Sequence, residues 1–156
     1  KTGKDELTYL FTANLGEPIR PLLKVAAGGE LSRVALAIKT VLLNASGVPT
    51  MVFDEIDTGV GGVTAQKMAE KIAVIAKVGQ VLCITHLPQI ASFADRHLLI
   101  RKESTGGRTS TGLTVLDEEG RIQELMRMTV GDNVSEVAYA NAKELLAASA
   151  KNKQAR

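Results

Sequence analysis

Two short apolar runs without polar alternation constrain the fold most strongly. Residues 50–53 read Thr-Met-Val-Phe, and residues 80–85 read Gln-Val-Leu-Cys-Ile-Thr. Strands that are covered on both faces have such continuous apolar sequences, and they occur mainly in parallel sheets. Turn residues and a helical pattern separate the two runs. We therefore predict an α/β fold with a largely parallel sheet that is flanked by helices.

The remaining elements follow from periodicity and turn chemistry. The sequence predicts helices over residues 30–44, 63–77, 88–94 and 135–148. It predicts further strands over residues 7–13 and, as a terminal hairpin, over residues 97–102 and 109–116.

Length and charge indicate one domain with no broad electrostatic footprint. The chain has 156 residues, and we assign residues 1–150 to a single domain and residues 151–156 to a frayed basic tail. The formal net charge is +2, from 19 basic and 17 acidic residues, so composition gives no support for an extended nucleic-acid surface. Arg101, Lys102 and Arg108 are candidate DNA contacts, although a solvated hairpin explains their charge better.

The cellular setting is indicated by what the sequence lacks. A single cysteine, Cys83, excludes an internal disulfide framework and fits a reducing, intracellular compartment. No apolar run approaches the ~18 residues of a membrane span, and the N-terminus has no signal-peptide pattern. The chain begins with Lys1 instead of Met, so we expect it to be a piece of a longer protein.

Two adjacent carboxylates, Asp54 and Glu55, follow the first apolar run directly. Charges at the end of a buried strand are costly unless they are paired or bound to a cation. Asp54 is placed to hold hydrated Mg²⁺, and Glu55 to act as a general base on a water molecule. Acidic residues are also common in solvated turns, and that alternative stays open for this motif alone.

Gly28 and Gly29 precede the helical pattern that begins at Glu30. Glycines allow a ligand to approach the backbone, and the free N–H groups of a helix start favour an anion. A helix start without a ligand is the plain alternative for so short a motif.

A third group, Cys83-Ile84-Thr85-His86, lies at the end of the second apolar run. His86 is placed to contact a phosphate or to position water. A structural histidine and a Cys-x-x-His metal site are alternatives, although His97 is the only other histidine that a metal site would have.

Taken together in this order, the three groups resemble the C-terminal portion of the RecN family of bacterial recombination-repair proteins, relatives of SMC and ABC-type ATPases. The resemblance covers about residues 7–148. The strongest stretches are residues 24–33, 53–62 and 84–91.

The resemblance implies a role for each site residue. Residues 26–30, which include Ala27, Gly28, Gly29 and Glu30, look like the ABC signature motif, which binds the γ-phosphate of ATP held by a second head. Asp54 resembles the Walker B carboxylate on Mg²⁺, and Glu55 resembles the catalytic glutamate. Asp57 begins a stretch similar to the D-loop, which touches the partner's site. His86 resembles the switch histidine near the γ-phosphate.

Ala27 departs from the family pattern, which usually has Ser before the glycine pair. A hydrogen bond to a charged group contributes about 1.5–3 kcal/mol, or about 10–150-fold in affinity. We expect engagement of ATP to be weakened and not abolished, because the backbone of Gly28 and Gly29 remains.

The chain contains no G-x-x-x-x-G-K-[ST] phosphate-binding loop. In the family this loop lies in the N-terminal half, beyond a long coiled-coil arm. The resemblance therefore implies one lobe of an ATPase head, inactive by itself, with the N-terminal lobe, a second head and DNA as partners. It also implies a cytoplasmic, nucleoid-associated protein without a membrane partner.

Two other functions remain as alternatives. A non-catalytic dimerisation or binding module fits the missing phosphate loop. A metal-dependent nuclease would use Asp54, Glu55 and Asp57, but it leaves the helix start at Gly28 and His86 without a role.

Overall fold

The computed structural model describes residues 3–12, 15–25, 28–42, 49–105 and 108–155. Twelve helices and strands occur in these ranges. In chain order they are β1 (Leu10–Phe11), β2 (Arg20–Pro21), α1 (Leu22–Val25), α2 (Gly28–Val41), β3 (Thr50–Phe53), α3 (Gly62–Ile75), β4 (Gln80–Cys83), α4 (Pro88–Ala91), β5 (Leu98–Thr105), β6 (Arg108–Val115), α5 (Glu118–Val130) and α6 (Glu136–Gln154).

The strands form three two-stranded sheets, so the predicted α/β class is confirmed. β3 and β4 are parallel, with Thr50 opposite Gln80 and Phe53 opposite Cys83. β1–β2 and β5–β6 are antiparallel, and the second pair is the predicted hairpin. Within the described residues the parallel part is therefore only two strands wide, because α3 is the one crossover that joins parallel neighbours.

Helices cover only one face of the β3–β4 pair, which corrects the expectation that both faces are covered. Phe53 is buried against α2 and α3, and Met51, Val81 and Cys83 pack against the same cluster. On the opposite face, Val52 is 62% exposed and Leu82 is 45% exposed. Successive side chains of a strand point to opposite faces. The apolar residues of the second face consequently have no cover in this part of the chain.

Two apolar clusters form the interior. The first joins β3 to α2, α3 and α4, and its buried members are Leu36, Phe53, Ile56, Ala65, Met68, Ala69, Ile75, Ile90 and Phe93. The second lies between α5 and α6, and its buried members are Ala91, Ile122, Leu125, Met126, Ala138 and Ala142. Ala91 follows Ile90 in α4, so this short helix links the two clusters.

The final two helices begin and end at clear sequence signals. The Asp117 side chain accepts a hydrogen bond from the backbone N–H of Gly120 (2.8 Å), and the Ser135 side chain accepts one from Ala138 (3.1 Å). Both are N-caps that satisfy otherwise unpaired helix donors. Gly131, with φ of 64°, ends α5. α5 was not predicted, although its N-cap residue and its final glycine are present in the sequence.

Several predicted boundaries need correction. α2 begins at Gly28 instead of residue 30, and the predicted strand over 7–13 is reduced to Leu10–Phe11. The predicted frayed tail is wrong for residues 151–154, which continue α6. Lys153 Nζ lies 2.7 Å from Asp95 Oδ1, so this basic end is attached to the domain. The assignment of residues 1–150 as one domain stays a prediction. Among the described residues, no helix has the length and apolarity needed to cross a bilayer.

Candidate functional site

The acidic pair occupies a tight turn directly after β3. Asp54 and Glu55 are both exposed, and the backbone N–H of Glu55 donates to Asp54 Oδ1 (2.9 Å). Glu55 has φ of 54°, the one positive value of a non-glycine residue in the described ranges. Such a conformation costs about 1–3 kcal/mol and persists only where surrounding contacts impose it. The backbone conformation of Glu55 in this turn therefore lowers the stability of the fold.

The start of α2 packs against this turn. A β-carbon on Gly28 would lie 2.8 Å from Glu55 Oε2, and one on Gly29 would lie 2.7 Å from the Glu55 carbonyl oxygen. Real β-carbons do not approach other atoms so closely. The glycine pair thus allows a close approach within this chain, apart from any ligand that it binds.

Two side chains of α2 attach the helix to the same segment. The Ser32 hydroxyl donates to the Asp54 carbonyl (3.0 Å). Arg33 Nη1 donates to the carbonyls of Ile56 (3.2 Å) and Thr58 (2.9 Å). These contacts span the backbone from the first carboxylate to the residue after Asp57. Movement of the helix start would consequently be transmitted to the acidic turn.

Asp57 joins the acidic turn to the end of β4. Its residue is 2% exposed, and its Oδ2 accepts from the Thr85 hydroxyl (2.5 Å) and the His86 backbone N–H (2.9 Å). Burial disfavours the charged carboxylate, but these hydrogen bonds and the nearby imidazole outweigh it. The pKa of Asp57 therefore lies below its ordinary value.

His86 makes a second contact with the same carboxylate. Its Nδ1 lies 3.1 Å from Asp57 Oδ2, while 71% of the side chain is exposed. Thr85 completes the turn, because its hydroxyl oxygen accepts from the backbone N–H of Leu87 (3.0 Å). The Nδ1 edge of the imidazole ring is thus in contact with Asp57, and most of the side chain is exposed.

The structure brings most of the predicted site residues into one group. Gly28 and Gly29 contact the turn that carries Asp54 and Glu55, and Asp57 ties this turn to His86. Glu30 lies in the first turn of α2. Ala27 lies outside the described residues. Whether these residues bind a nucleotide or a metal ion stays a prediction.

Ser32 and Arg33 also belong to the site, and their contacts were not predicted from the sequence. They follow Gly28 and Gly29 by four residues each, so each pair lies on one face of the helix. That spacing was a usable signal, because a face that packs its glycines against a loop also directs the next turn's side chains there.

The Cys-x-x-His alternative gains no support from the site. Burial first, and then the charges of Asp57 and Asp54, raise the pKa of the Cys83 thiol to about 11. Metal binding needs the thiolate, which this environment disfavours. Within the described ranges, no three His, Cys, Asp or Glu side chains are grouped as metal ligands. Asp57 is also poorly placed as a ligand for the nuclease alternative, since it is buried and its Oδ2 already accepts from Thr85 and His86.

Several known DNA repair proteins are similar in sequence to this chain. The chain is 48% identical over 146 residues to the DNA repair protein RecN of Halalkalibacterium halodurans, which covers 94% of the chain and 26% of that protein. It is 49% identical to RecN of Treponema pallidum, in a match that covers 97% of this chain and 26% of that protein. It is also 49% identical to RecN of Bacillus subtilis, in a match that covers 92% of this chain and 25% of that protein. The chain thus spans about a quarter of the length of these curated relatives. No family model matches it.

A solved structure supports the fold. Its description reads "Structural biochemistry of ATP-driven dimerization and DNA stimulated activation of SMC ATPases". The TM-score is 0.50 at 22% identity, and the match covers 73% of this chain and 68% of that chain. At this identity the likeness concerns the fold alone, and it agrees with the α/β arrangement described above.

Proposed function

The chain belongs to the RecN family of bacterial DNA repair proteins, and from this premise we propose that it is the C-terminal lobe of an ATP-hydrolysing head. The observation that carries the proposal is the contact between the start of α2 and the acidic turn after β3. The start of a helix, two carboxylates and a histidine come together at the carboxyl ends of the parallel strands. Ligands of α/β sheets bind at these ends.

In the proposed reaction, Glu55 accepts a proton from the water that attacks the γ-phosphorus of ATP. The new P–O bond forms as the bond to the β-γ bridging oxygen breaks, and ADP leaves. The turn suits this task, because Glu55 is exposed while its backbone is fixed by the Asp54 side chain and by the contact with Gly29. A base needs such a defined position within hydrogen-bond reach of the water.

Asp54 is the residue that would hold Mg²⁺. Its carboxylate is exposed, and its Oδ1 accepts one backbone hydrogen bond, which orients it without burying it. Mg²⁺ keeps several waters and commonly takes only one or two carboxylates, so a single Asp fits. The bound ion would supply charge neutralisation at the phosphates.

The helix start is proposed to act across a dimer of heads. Gly28, Gly29 and Glu30 would bind the γ-phosphate of ATP that a second head holds, using backbone N–H groups and the helix dipole. Ala27 contributes no hydroxyl to that contact. Since the chain spans about a quarter of its relatives, we assign the phosphate loop to a separate N-terminal lobe.

Uncovered apolar surfaces support that partner lobe. Val52, Leu82 and Ile84 are exposed along one face of β3 and β4. The hairpin has a second such surface, formed by the exposed cross-strand pairs Leu98–Val115 and Ile100–Leu113. Exposed apolar patches of this kind mark interaction sites. An N-terminal lobe would cover them in the full-length protein. As part of the same proposal, the full-length protein binds DNA on the nucleoid in the bacterial cytoplasm.

The test is Glu55→Gln in the full-length protein. The amide cannot take a proton, so we expect ATP binding and head engagement to persist while turnover falls by about 100-fold or more. Glu144→Gln, on the exposed surface of α6, is the matched control and should leave turnover unchanged. Normal hydrolysis by Glu55→Gln would overturn the assignment of the base.

Calorimetric titration with ATP and Mg²⁺ separates this function from a non-catalytic module. We expect tight binding only when this chain is combined with the remaining part of the protein. If the combined sample bound its partners equally well with and without nucleotide, the binding module would be favoured instead.

A further inference from the structure

Asp57 is the feature of the site that the family roles do not explain. The resemblance assigns it to a loop that contacts a second head, yet its residue is 2% exposed. A buried carboxylate is stable only when hydrogen bonds replace its lost hydration. The Asp57 side chain instead contacts the turn at Thr85 and His86 of its own chain.

From this geometry we propose that Asp57 is a positioning residue that sets the orientation and the tautomer of His86. The inference rests on the proposed function, because it assigns His86 a role at the bound nucleotide. The ionised carboxylate has acceptors and no donor, so it favours the form of the imidazole in which the nitrogen 3.1 Å away carries a proton. Nδ1 is therefore the protonated nitrogen, and Nε2 is the atom that faces outward.

The backbone contact makes this orientation rigid. The His86 N–H also donates to Asp57 Oδ2, so main chain and ring are held by one oxygen. Thr85 donates its hydroxyl proton to the same oxygen and accepts from Leu87, which fixes the turn on both sides. The rest of the side chain is largely exposed. Asp57 consequently decides where Nε2 lies relative to a phosphate oxygen or an attacking water.

The arrangement also connects the two strand ends. Asp57 follows Glu55 by two residues, and Arg33 binds the carbonyls on either side of it, at Ile56 and Thr58. The segment that carries the general base therefore also carries the residue that orients the histidine. A shift of this segment would displace both groups together.

Asp57→Asn in the full-length protein is the test. The amide keeps the size of the carboxylate but introduces a donor, which conflicts with Nδ1–H and favours the wrong tautomer. We expect kcat for ATP hydrolysis to fall about 10–100-fold, by analogy with residues that orient metal-bound histidines. KM for ATP should change less than about twofold, since Asp57 does not touch the nucleotide. Asp132→Asn, at an exposed position, is the matched control.

A double-variant cycle separates positioning from a general structural role. If Asp57 acts through His86, then Asp57→Asn should have no further effect on kcat in the His86→Ala background. Multiplying effects would overturn the proposal, and so would an unchanged kcat in Asp57→Asn alone. If Glu55→Gln also retains turnover, the proposed function itself fails; if only Asp57→Asn is silent, only this inference fails.

A second pair of variants covers the case in which Asp57→Asn does not fold. Thr85→Val removes one donor to Asp57 with little change in shape, and Thr85→Ser keeps the hydroxyl. We expect kcat to fall several-fold in Thr85→Val and to be retained in Thr85→Ser, with cooperative thermal unfolding showing that both are folded. Equal kcat values in the two variants would contradict the proposed restraint.

Discussion

Gly29 lies so close to Glu55 that a β-carbon at position 29 would be 2.7 Å from the Glu55 carbonyl oxygen. Arg33 and Thr58 also crowd that position, at 3.1 Å each. The contact involves backbone, which cannot rotate away as a side chain does. A glycine is therefore required at position 29 by the chain's own packing.

Gly29→Ala should destabilise the protein by about 1–3 kcal/mol, the usual cost of overpacking. The gain in helix propensity, at most about 1 kcal/mol, does not offset this clash. Gly28→Ala is the matched control, because its close contact is with the flexible end of the Glu55 side chain. Melting temperatures of the two variants provide the measurement. Equal stability of both would contradict the close contact seen at Gly29.

Arg33→Gln should loosen the attachment of α2 to the acidic turn. Two charge-assisted hydrogen bonds to carbonyls are lost, and because the site is only partly buried we expect about 1–2 kcal/mol in stability. ATP turnover of the full-length protein should fall as well, since Glu55 loses one support. Arg96→Gln, at an exposed position, controls for loss of charge. A variant with wild-type stability and turnover would show that the attachment is dispensable.

Asp57 should make stability depend on pH on the acid side. Its pKa is lower in the folded chain than its ordinary value of 3.8, so the unfolded state binds the proton more readily. The stabilisation is complete above about pH 4 and is lost as the pH falls through the folded pKa. Melting temperatures of wild type and Asp57→Asn, measured between neutral pH and pH 3, should therefore converge towards the acid end. A gap that stays constant would argue against an ionised Asp57.

Cys83 should react slowly with thiol reagents while the chain is folded. With a pKa of about 11, roughly one thiol in a thousand is ionised at pH 8, against about a quarter of free thiols. We expect alkylation to be about 100-fold slower than in denaturant. The chain has one cysteine, so mass spectrometry reads the rate directly. Equal rates in buffer and in denaturant would contradict the raised pKa.

The elements that sequence reasoning located best were those with strong local signals. The strand at Thr50–Phe53 was predicted at its observed bounds, since an apolar run ends abruptly at a charged pair. The hairpin was predicted to within about three residues at each end, because glycines mark its turn. α5 was not predicted and the end of α6 was predicted too early, because apolar periodicity reveals neither the N-cap at Asp117 nor the polar final turns of α6.

The coverage of the sheet was predicted wrongly for a physical reason. An apolar strand without polar alternation indicates that both of its faces are covered. The pattern does not indicate which polypeptide segment supplies the cover. Here α2 and α3 cover one face, while Val52 and Leu82 remain exposed on the other. The sequence thus indicates that the second face needs cover, and the described residues cover only the first face.

The sequence by itself determined the α/β class, the order of the candidate groups and their positions at strand ends, because each depends on residues close together in the chain. The tertiary structure decided which of them meet. It packed Gly29 on Glu55, bound Arg33 to the following loop and turned Asp57 inward to Thr85 and His86. Those contacts join residues that are 25 to 29 positions apart in the chain. Only the packing of helix and strand ends brings such groups within hydrogen-bond distance.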